Sequence, residues 1–371
     1  MTRTVKTVLA ALAVGSATLA AQTAPADLAF DSVANLLKTP AEVFVGEVAG
    51  VGANSKGQIY VYTRTGHPYA TLGDNRTFYH GGSRLFQFDP TGLFVRELGQ
   101  DVYGFNAAIG LRIDPQDNVW TIDEGASQVV KFDPQGRVAL VLGRKPENIA
   151  VRPPAPRPPA AAAPGGAAPA GPPPSGGPNA GRRPGEGTPG STFSRPTDVA
   201  WDSAGNIYIA DGLGNNNRVA KFDKDGRFLA QWGATGTGPG EFRGVKALAI
   251  DAAGNVYVAD VGNKRIQVFD GDGKFKSEFG NVGTPLTMCL SRGATPHLFI
   301  AHAGDRDGMD DATIYKVKLD GTVVGKFGSA GKQAKEFGLA NSIDCRTENE
   351  LLVGEMTNWR VQKVSLKAAA R

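Results

Sequence analysis

The decapeptide DSAGNIYIAD at residues 202–211 returns almost unchanged as DAAGNVYVAD at residues 251–260, and a looser copy, DPQDNVWTID, occupies residues 114–123. Each copy begins with residues that favour a tight turn and continues as a short strand rich in β-branched and aromatic residues. Self-similarity of this kind is typical of repeat architectures. The chain is therefore expected to consist of copies of one strand-rich unit.

A second and a third strand follow each copy. The second strand is SQVVKFD at residues 127–133, NRVAKFD at residues 217–223 and NKRIQVFD at residues 263–270. A turn ending in glycine and a third strand come next, as in FLAQW at residues 228–232. More divergent copies combine residues 59–62 with 84–89, 298–301 with 314–320, and 351–353 with 359–364. Six copies predict an all-β fold, a six-bladed β-propeller, in which radial repetition of four-stranded sheets protects the sheet edges.

The last copy lacks a fourth strand of its own. Only residues 367–371 follow its final strand, which is too little for another one. The unassigned stretch at residues 28–37 is the natural donor, because an unpaired sheet edge would expose backbone groups. We predict that the ring is closed by an N-terminal strand.

The N-terminus has the pattern of a targeting segment. Arg3 and Lys6 precede an apolar run at residues 8–19, and small residues follow. This predicts a signal peptide over residues 1–26, a closing strand and lead-in over 27–45, and a single propeller over 27–371. The alternative is an uncleaved anchor, although the run is short for a bilayer. We expect a secreted or periplasmic protein with no transmembrane span after signal removal.

A second appendage interrupts the repeats. Residues 151–192 consist almost wholly of Pro, Ala, Gly and Arg, which cannot bury enough apolar surface to fold and which favour extended polyproline II. The position predicts a disordered insertion between the second and third blades. A solvated loop is the simpler interpretation, and a peptide ligand or wall-binding arm is the alternative.

The positive charge of the chain belongs to these appendages. The whole chain carries +4, of which the signal segment supplies two charges and the insertion a net three. The remaining body is close to neutral, at about −1. Because nucleic-acid binding needs a basic face, we predict no nucleic-acid partner.

Polar residues end the first strand of every copy. These positions are Thr63, Asp123, Asp211, Asp260, His302 and Glu355. A ring of carboxylates could hold a cation or polarise a substrate. The alternative is that each carboxylate pairs with an arginine of the next strand, as Asp211 with Arg218 and Asp260 with Arg265.

Three other features carry candidate chemistry. The acidic loop at residues 305–311 lacks the spacing of an EF-hand and is better interpreted as solvated. His67 lies in a polar loop, where it could act as a ligand or a base. Export permits a disulfide between Cys289 and Cys345, but we favour free buried thiols, because the alignment of the repeats points the two side chains to opposite faces of their blades.

The order of motifs resembles the lyase domain of peptidylglycine α-amidating enzymes and its bacterial NHL-repeat relatives. The resemblance covers residues 46–364, and its landmarks are GEVAGV at 46–51, RTGH at 64–67, RPTDVA at 195–200, ADG at 210–212 and RIQ at 265–267. The resemblance implies a six-bladed propeller. The lyase of this family is a zinc enzyme that cleaves an α-hydroxyglycine peptide to an amide and glyoxylate.

Site residues can be carried over from the family only one at a time. Arg64 matches the active-site arginine. The three zinc histidines correspond to Ile109, Lys246 and Asn341, the catalytic tyrosine to Leu213, the active-site methionine to a position near Leu339, and a calcium-binding aspartate to Ser342. Zinc or calcium is thus implied by the resemblance alone. A catalytic zinc site needs about three protein ligands, so the departures predict that the lyase chemistry is lost.

Our first hypothesis is therefore a monomeric binding module for a peptide or an exported protein. It would present a rim made of Arg64, His67, Asp123, Asp211, Lys246, Asp260, His302, Asn341 and Glu355. The alternative is an enzyme on the same scaffold, either a divergent lyase or a metal-dependent hydrolase such as a gluconolactonase. A purely structural extracytoplasmic module is a third hypothesis, since a fold does not determine a function.

Overall fold

Six four-stranded antiparallel sheets form the blades of a β-propeller. The computed structural model describes residues 24–65, 69–72, 76–79, 82–143, 193–213, 216–303, 312–345 and 347–367. The proposed signal sequence up to residue 23, His67, the insertion at 151–192 and the acidic loop at 305–311 lie outside the described residues. The prediction of an all-β six-bladed propeller is confirmed.

The first three blades follow one another along the chain, each beginning with its innermost strand. Blade 1 contains β2 (Glu47–Ala53), β3 (Ile59–Arg64), β6 (Ser83–Phe88) and β7 (Phe94–Leu98). A separate hairpin of β4 (Tyr69–Leu72) and β5 (Arg76–Tyr79) lies in the chain between β3 and β6. Blade 2 contains β8 (Ala108–Ile113), β9 (Val119–Asp123), β10 (Gln128–Phe132) and β11 (Val138–Gly143). Blade 3 contains β12 (Pro196–Trp201), β13 (Ile207–Asp211), β14 (Arg218–Phe222) and β15 (Phe228–Trp232).

The remaining blades repeat this order. Blade 4 contains β18 (Val245–Ile250), β19 (Val256–Asp260), β20 (Arg265–Phe269) and β21 (Phe275–Phe279), with a 3₁₀ turn at Val261–Asn263. Blade 5 contains β22 (Thr284–Leu290), β23 (Leu298–Ala303), β24 (Ile314–Val317) and β25 (Val323–Phe327). Blade 6 contains β28 (Ala340–Asp344), β29 (Glu350–Glu355) and β30 (Arg360–Leu366). Two short parallel pairs precede blades 4 and 6: β16 (Ala234–Thr235) with β17 (Glu241–Phe242), and β26 (Ser329–Ala330) with β27 (Glu336–Phe337).

The ring closes through the N-terminal strand, as predicted. Strand β1 (Phe30–Val33) pairs antiparallel with β30 and supplies the fourth strand of blade 6. The Phe30 ring lies 5.1 Å from that of Phe327 and 6.4 Å from that of Phe337. The first strand therefore satisfies the backbone edge of the last blade and packs apolar surface against blade 5.

The repeated decapeptide owes its sequence to a turn built around its first aspartate. Asp202 Oδ1 accepts the backbone N–H of Asn206 at 2.9 Å, and the Tyr208 hydroxyl donates to Asp202 Oδ2 at 3.0 Å. Gly205 has φ of +83°, a conformation that strongly favours glycine. The same contacts recur in the copy at residues 251–260. The turn thus fixes where the second strand of each blade starts.

The core lies between neighbouring blades. The largest fully buried side chains are mostly aromatic: Trp120, Tyr62, Tyr208, Phe86, Phe88, Phe132, Phe222, Phe242, Phe269, Phe299 and Phe337. Each faces an adjacent sheet, which removes apolar area from water and holds the blades in register around the central channel. Within the described residues, no helix is long and apolar enough to span a membrane.

The cysteines correct one expectation. Cys289 and Cys345 form a disulfide, with Cα atoms 5.9 Å apart, so the prediction of free buried thiols is wrong. Cys289 lies in β22 and Cys345 directly follows β28, the innermost strands of blades 5 and 6. Positions that face opposite sides of their own blades meet because neighbouring inner strands turn those sides toward each other. The bond joins two blades near the end of the central channel.

Candidate functional site at the channel mouth

A β-bulge interrupts every innermost strand near its N-terminal end. The pairing with the second strand shifts after Val48, Ala108, Pro196, Val245, Pro285 and Ala340. The residues that follow these shifts are Ala49, Ile109, Thr197, Lys246, Leu286 and Asn341. Bulges of this kind re-aim side chains and are frequent beside functional sites. The six bulges form a ring near one mouth of the channel.

Four bulge residues, Ile109, Thr197, Lys246 and Asn341, line a single cavity. Ile109, Lys246 and Asn341 come from blades 2, 4 and 6 and surround a space of about 10 Å³, together with Thr197 and other residues. That volume holds about one water molecule. The positions that the resemblance assigned to the zinc histidines are therefore brought together in space.

These three side chains do not fit a zinc ion, which takes thiolate, imidazole or carboxylate ligands. Asn341 Nδ2 instead donates to the backbone oxygens of Ala49 and Ile109 at 2.6 and 2.8 Å. Ser342, at the calcium position of the family, accepts the Val51 N–H at 3.0 Å. Among the described residues, no three His, Cys, Asp or Glu side chains are grouped so that they could hold a metal.

Lys246 is the one ionisable residue of the bulge ring. Its side chain is buried, at 6% exposure, and no hydrogen-bond partner for its ammonium group is found in the described part of the chain. Burial lowers the pKa of Lys246 to about 8, and the positive charges of Arg64 and Arg195 act in the same direction. Glu124 and Asp198 oppose this shift.

Two arginines and a glutamate stand beside Lys246. Arg64 donates to the Ala108 backbone oxygen and to Glu124 Oε1, both at 2.6 Å. Arg195 donates to Glu124 Oε2 at 2.5 Å. Burial raises the pKa of Glu124, but the two guanidinium groups outweigh it and hold the pKa below its ordinary value. Sequence reasoning missed Glu124 as a site residue; the available signal was its place directly after a repeat-ending aspartate.

The carboxylates that end the second strands hold the loops of their own blades, and Asp123 also accepts the Tyr62 hydroxyl of blade 1 at 2.9 Å. Asp123, Asp211, Asp260 and Glu355 are almost completely buried. Each accepts backbone N–H groups from the loop that leads into the innermost strand of its blade: from Asn106 and Ala107, from Ser194, from Arg243, and from Gly338. Three also bind an arginine of the next strand, at 3.0 Å for Asp211–Arg218, 2.9 Å for Asp260–Arg265 and 2.8 Å for Glu355–Arg360. The sequence offered ion pairs within each blade as the alternative to a ring of carboxylates, and such pairs are present in blades 3, 4 and 6.

His302 takes the corresponding position in blade 5. Its Nδ1 accepts the backbone N–H of Thr284 at 2.7 Å, at the start of the innermost strand. This imidazole nitrogen performs the task that a carboxylate oxygen performs in four other blades. Two of the carboxyls that take this position in other blades, those of Asp123 and Asp211, have pKa values that burial raises above the ordinary value.

An ion pair crosses the channel below the bulge ring. Arg112 of blade 2 binds Asp198 of blade 3 through two hydrogen bonds, at 2.8 and 2.6 Å. Its guanidinium also donates to the backbone oxygens of Met288 in blade 5 and Ile343 in blade 6. Asp198 accepts the Leu248 N–H of blade 4 at 2.9 Å. This Arg112–Asp198 plug connects five blades, and sequence reasoning did not single it out.

Exposed aromatic residues lie on the same face as Lys246. Phe44 precedes the first innermost strand and is 66% exposed, and Trp359 lies in the turn before β30 and is 55% exposed. Their rings meet edge to face, with centroids 6.0 Å apart. Trp359 has φ of +54°, a strained conformation for a bulky residue. Ser127, Asn217 and Lys264 also have positive φ at the same turn position of blades 2, 3 and 4, so this conformation belongs to the repeated turn.

Comparisons with known proteins agree with this architecture. The family model DUF5128, described as a 6-bladed β-propeller, matches residues 192–286. The chain is also similar to a solved structure of streptogramin B lyase, with 13% identity, a TM-score of 0.52, and coverage of 91% of this chain and 98% of that one. At that identity the likeness concerns the fold alone.

Curated relatives match parts of the chain. Human NHL repeat-containing protein 3 is 42% identical over 87 residues, which is 21% of this chain and 25% of the relative. Peptidyl-glycine α-amidating monooxygenase B of Xenopus laevis is 29% identical over 232 residues, 58% of this chain and 22% of the relative. Peptidyl-α-hydroxyglycine α-amidating lyase 1 of Drosophila melanogaster is 27% identical over 203 residues, 52% of this chain and 30% of the relative.

In each case the match spans less than a third of the relative's length. The chain is a six-bladed β-propeller whose sequence resembles, at modest identity, those of NHL-repeat proteins and peptidyl-α-hydroxyglycine α-amidating lyases.

Proposed function

We propose that this chain is an exported recognition module that binds a carboxylate-bearing peptide at the channel mouth. The observation that carries the proposal is Lys246, a buried cation with no described hydrogen-bond partner, next to two arginines that share one glutamate. Arg64, Arg195 and Lys246 carry three positive charges against the single negative charge of Glu124. A partly buried cluster with this imbalance is stabilised by an added anion.

The surroundings supply the two parts of a peptide-binding surface. Arg195 is half exposed and Arg64 one-quarter exposed, so each can reach a ligand without leaving Glu124. Phe44 and Trp359 offer a rigid aromatic patch on the same face. Aromatic and arginine side chains are the usual anchors of binding sites. A peptide with an apolar side chain and a free C-terminal carboxylate would satisfy both parts.

Titration calorimetry with an N-acetylated phenylalanine–glycine dipeptide tests this proposal. We expect the dipeptide with a free carboxylate to bind, and its C-terminal amide to bind at least about tenfold more weakly, because the amide lacks the charge. Lys246→Met should weaken binding of the carboxylate about 10–100-fold. Met is close in shape and removes a buried charge, so the variant should fold.

The matched control is Arg137→Gln. Like Lys246→Met, this variant removes one positive charge. Arg137, however, is 77% exposed in an outer turn of blade 2, where it pairs with Asp133. This variant should bind like the parent protein. Equal affinity for the acid and the amide, or equal loss in both variants, would contradict a carboxylate site at the mouth.

The export part of the proposal has its own test. The disulfide between Cys289 and Cys345 supports it, because such bonds persist in oxidising compartments. Expressed in a Gram-negative host, the full chain should accumulate in the periplasm or medium with its first residues removed. N-terminal sequencing should then find a start near residue 27. A chain that keeps Met1 in the cytosolic fraction would overturn this part.

A further inference from the structure

We propose that the end of the channel opposite Lys246 binds a small, neutral ring compound that carries a carbonyl oxygen. The innermost strands end there, at Ile113, Trp201, Ile250 and Leu290 among others, and we call this end the far mouth. The geometry that carries the proposal is a cavity at the far mouth, to which all six blades contribute. The inference goes beyond peptide recognition and does not depend on it.

The cavity at the far mouth has the volume of a small ligand. It measures about 210 Å³, whereas the cavity beside Lys246 measures about 10 Å³. An apolar cavity of about 150 Å³ accepts benzene in another protein. The far mouth therefore has room for a six-membered ring with a short substituent. Arg112 lines both cavities, so the Arg112–Asp198 plug separates the two ends of the channel.

Large apolar side chains form the wall of this cavity. Ile113, Trp201, Ile250 and Leu290 end the innermost strands of blades 2 to 5, line the cavity and remain partly exposed. Small-molecule sites are typically concave and lined by apolar and aromatic side chains with a few polar groups. The Cys289–Cys345 bond lies in the same wall and ties blades 5 and 6 together, so the wall is preformed.

One donor of the plug is left for a ligand. Arg112 donates through Nε and Nη2 to Asp198, through Nη2 to the Met288 oxygen, and through Nη1 to the Ile343 oxygen. A guanidinium group has five N–H donors, two of them on Nη1. For the second N–H of Nη1, no acceptor is found among the described residues. A carbonyl oxygen of the ligand would accept this N–H and so fix the orientation of the ring.

The charges at the far mouth favour a neutral ligand. Arg112 and Arg292 line the cavity together with Asp344, and Asp198 pairs with Arg112. The described side chains at this mouth thus supply two positive and two negative charges. Asp344 also accepts the Ala53 N–H at 2.7 Å. A charged ligand would give up its hydration among apolar side chains without gaining an uncompensated counter-ion, whereas a neutral ligand avoids this cost.

Three probes of nearly the same shape test the proposal: benzamide is neutral, benzoate is an anion and benzamidinium is a cation. Each is titrated against the full chain, and binding is followed by the broadening of the probe's own NMR signals. We expect benzamide to bind with a dissociation constant of about 1 mM or tighter, as is usual for a ligand of this size. Benzoate and benzamidinium should bind at least about tenfold more weakly. Equal or stronger binding of either ion overturns the assignment to neutral ligands.

Trp201 reports where the probe binds. Its indole N–H resonance, assigned by its loss in Trp201→Phe, should shift as benzamide is added. The indole resonance of Trp232, on the outer strand of blade 3, should stay in place. Absence of a shift at Trp201 in the presence of about 10 mM benzamide overturns the site. A saturating concentration of the phenylalanine–glycine dipeptide should not displace benzamide, because the dipeptide binds at the other mouth.

Filling the cavity gives a second test of its location. Ile250→Phe enlarges one wall, so it should weaken the binding of benzamide at least about tenfold. Leu290→Phe does the same from blade 5 and replaces Ile250→Phe if that variant is unstable. The matched control is Leu229→Phe, which enlarges a side chain on the outer strand of blade 3 that is 51% exposed. The control should bind benzamide like the parent protein, and an equal loss in the control would contradict a site at the far mouth.

These measurements separate the inference from the proposed function. A cooperative thermal unfolding transition shows that the filled variants are folded, and they should keep the parent protein's affinity for the phenylalanine–glycine carboxylate. Benzamide binding without dipeptide binding would leave the far-mouth site in place and remove the recognition site. Dipeptide binding without benzamide binding would remove the far-mouth site alone.

Discussion

Replacing Arg112 by methionine should lower the free energy of unfolding by about 3–5 kcal/mol. Asp198, whose side chain is only 6% exposed, would then be a buried charge without its partner. The backbone oxygens of Met288 and Ile343 would also lose their bonds to the guanidinium group. Breaking a buried ion pair by removing one partner is among the most destabilising single changes.

A second substitution shows whether the stranded charge is the cause. In Arg112→Met/Asp198→Asn the asparagine is neutral and keeps an oxygen that can accept the Leu248 N–H. We expect this double variant to regain about 2 kcal/mol relative to Arg112→Met, because most of the penalty lies in the unpaired carboxylate. Chemical denaturation followed by tryptophan fluorescence measures all of these values.

The matched control for this experiment is Arg84→Met. Arg84 also forms a two-bond pair, with Glu97, but it lies on the outer part of blade 1 and its side chain is 34% exposed. Its loss should cost less than about 1 kcal/mol. If Arg84→Met and Arg112→Met were equally destabilising, the plug would not be the special connection between blades that we describe.

Removing the disulfide should have an effect of similar size. Cys289 and Cys345 are 56 residues apart in sequence, and closing a loop of that length is expected to contribute about 4 kcal/mol in the chain-entropy model. We therefore expect Cys289→Ala/Cys345→Ala to lower the free energy of unfolding by about 4 kcal/mol. Both side chains pack in the core between blades 5 and 6, so a small loss of packing adds to this.

A reducing agent separates the bond from the packing. Reductant should destabilise the parent protein by most of the same amount and leave the double alanine variant unchanged. The state of the cysteines is measured directly by alkylating the unfolded, unreduced protein, which should take up no label at either position. Labelling of both cysteines would instead support the free thiols that the sequence favoured.

The number of blades and the closure of the ring were predictable from the sequence because both depend on short-range patterns. The turn aspartate, the glycine and the alternating strand lie within ten residues of one another in DSAGNIYIAD, so each copy carries the information for its own hairpin. The missing strand after residue 366 then identified the N-terminal donor, which the pairing of β1 with β30 confirms. The family resemblance assigned Arg64, Ile109, Lys246 and Asn341 to one site, and the last three line one cavity.

The contents of the channel could not be predicted in this way. Arg112 and Asp198 are 86 residues apart, Arg195 and Glu124 are 71 apart, and the bond of Asn341 to Ala49 spans 292 residues. These contacts join different blades, and they follow no period that a pattern in one repeat could reveal. The bulges that aim Lys246 inward are likewise recognised only from the pairing of strands.

The sequence by itself therefore determined the blades, their number and the strand that closes the ring, because local turns and alternation encode them. The tertiary structure decided that Cys289 and Cys345 are bonded, that an ion pair plugs the channel, and that Lys246 stands among Arg64, Arg195 and Glu124. The physical reason is that burial and charge pairing at the channel depend on side chains from several blades, which meet only when the ring has closed.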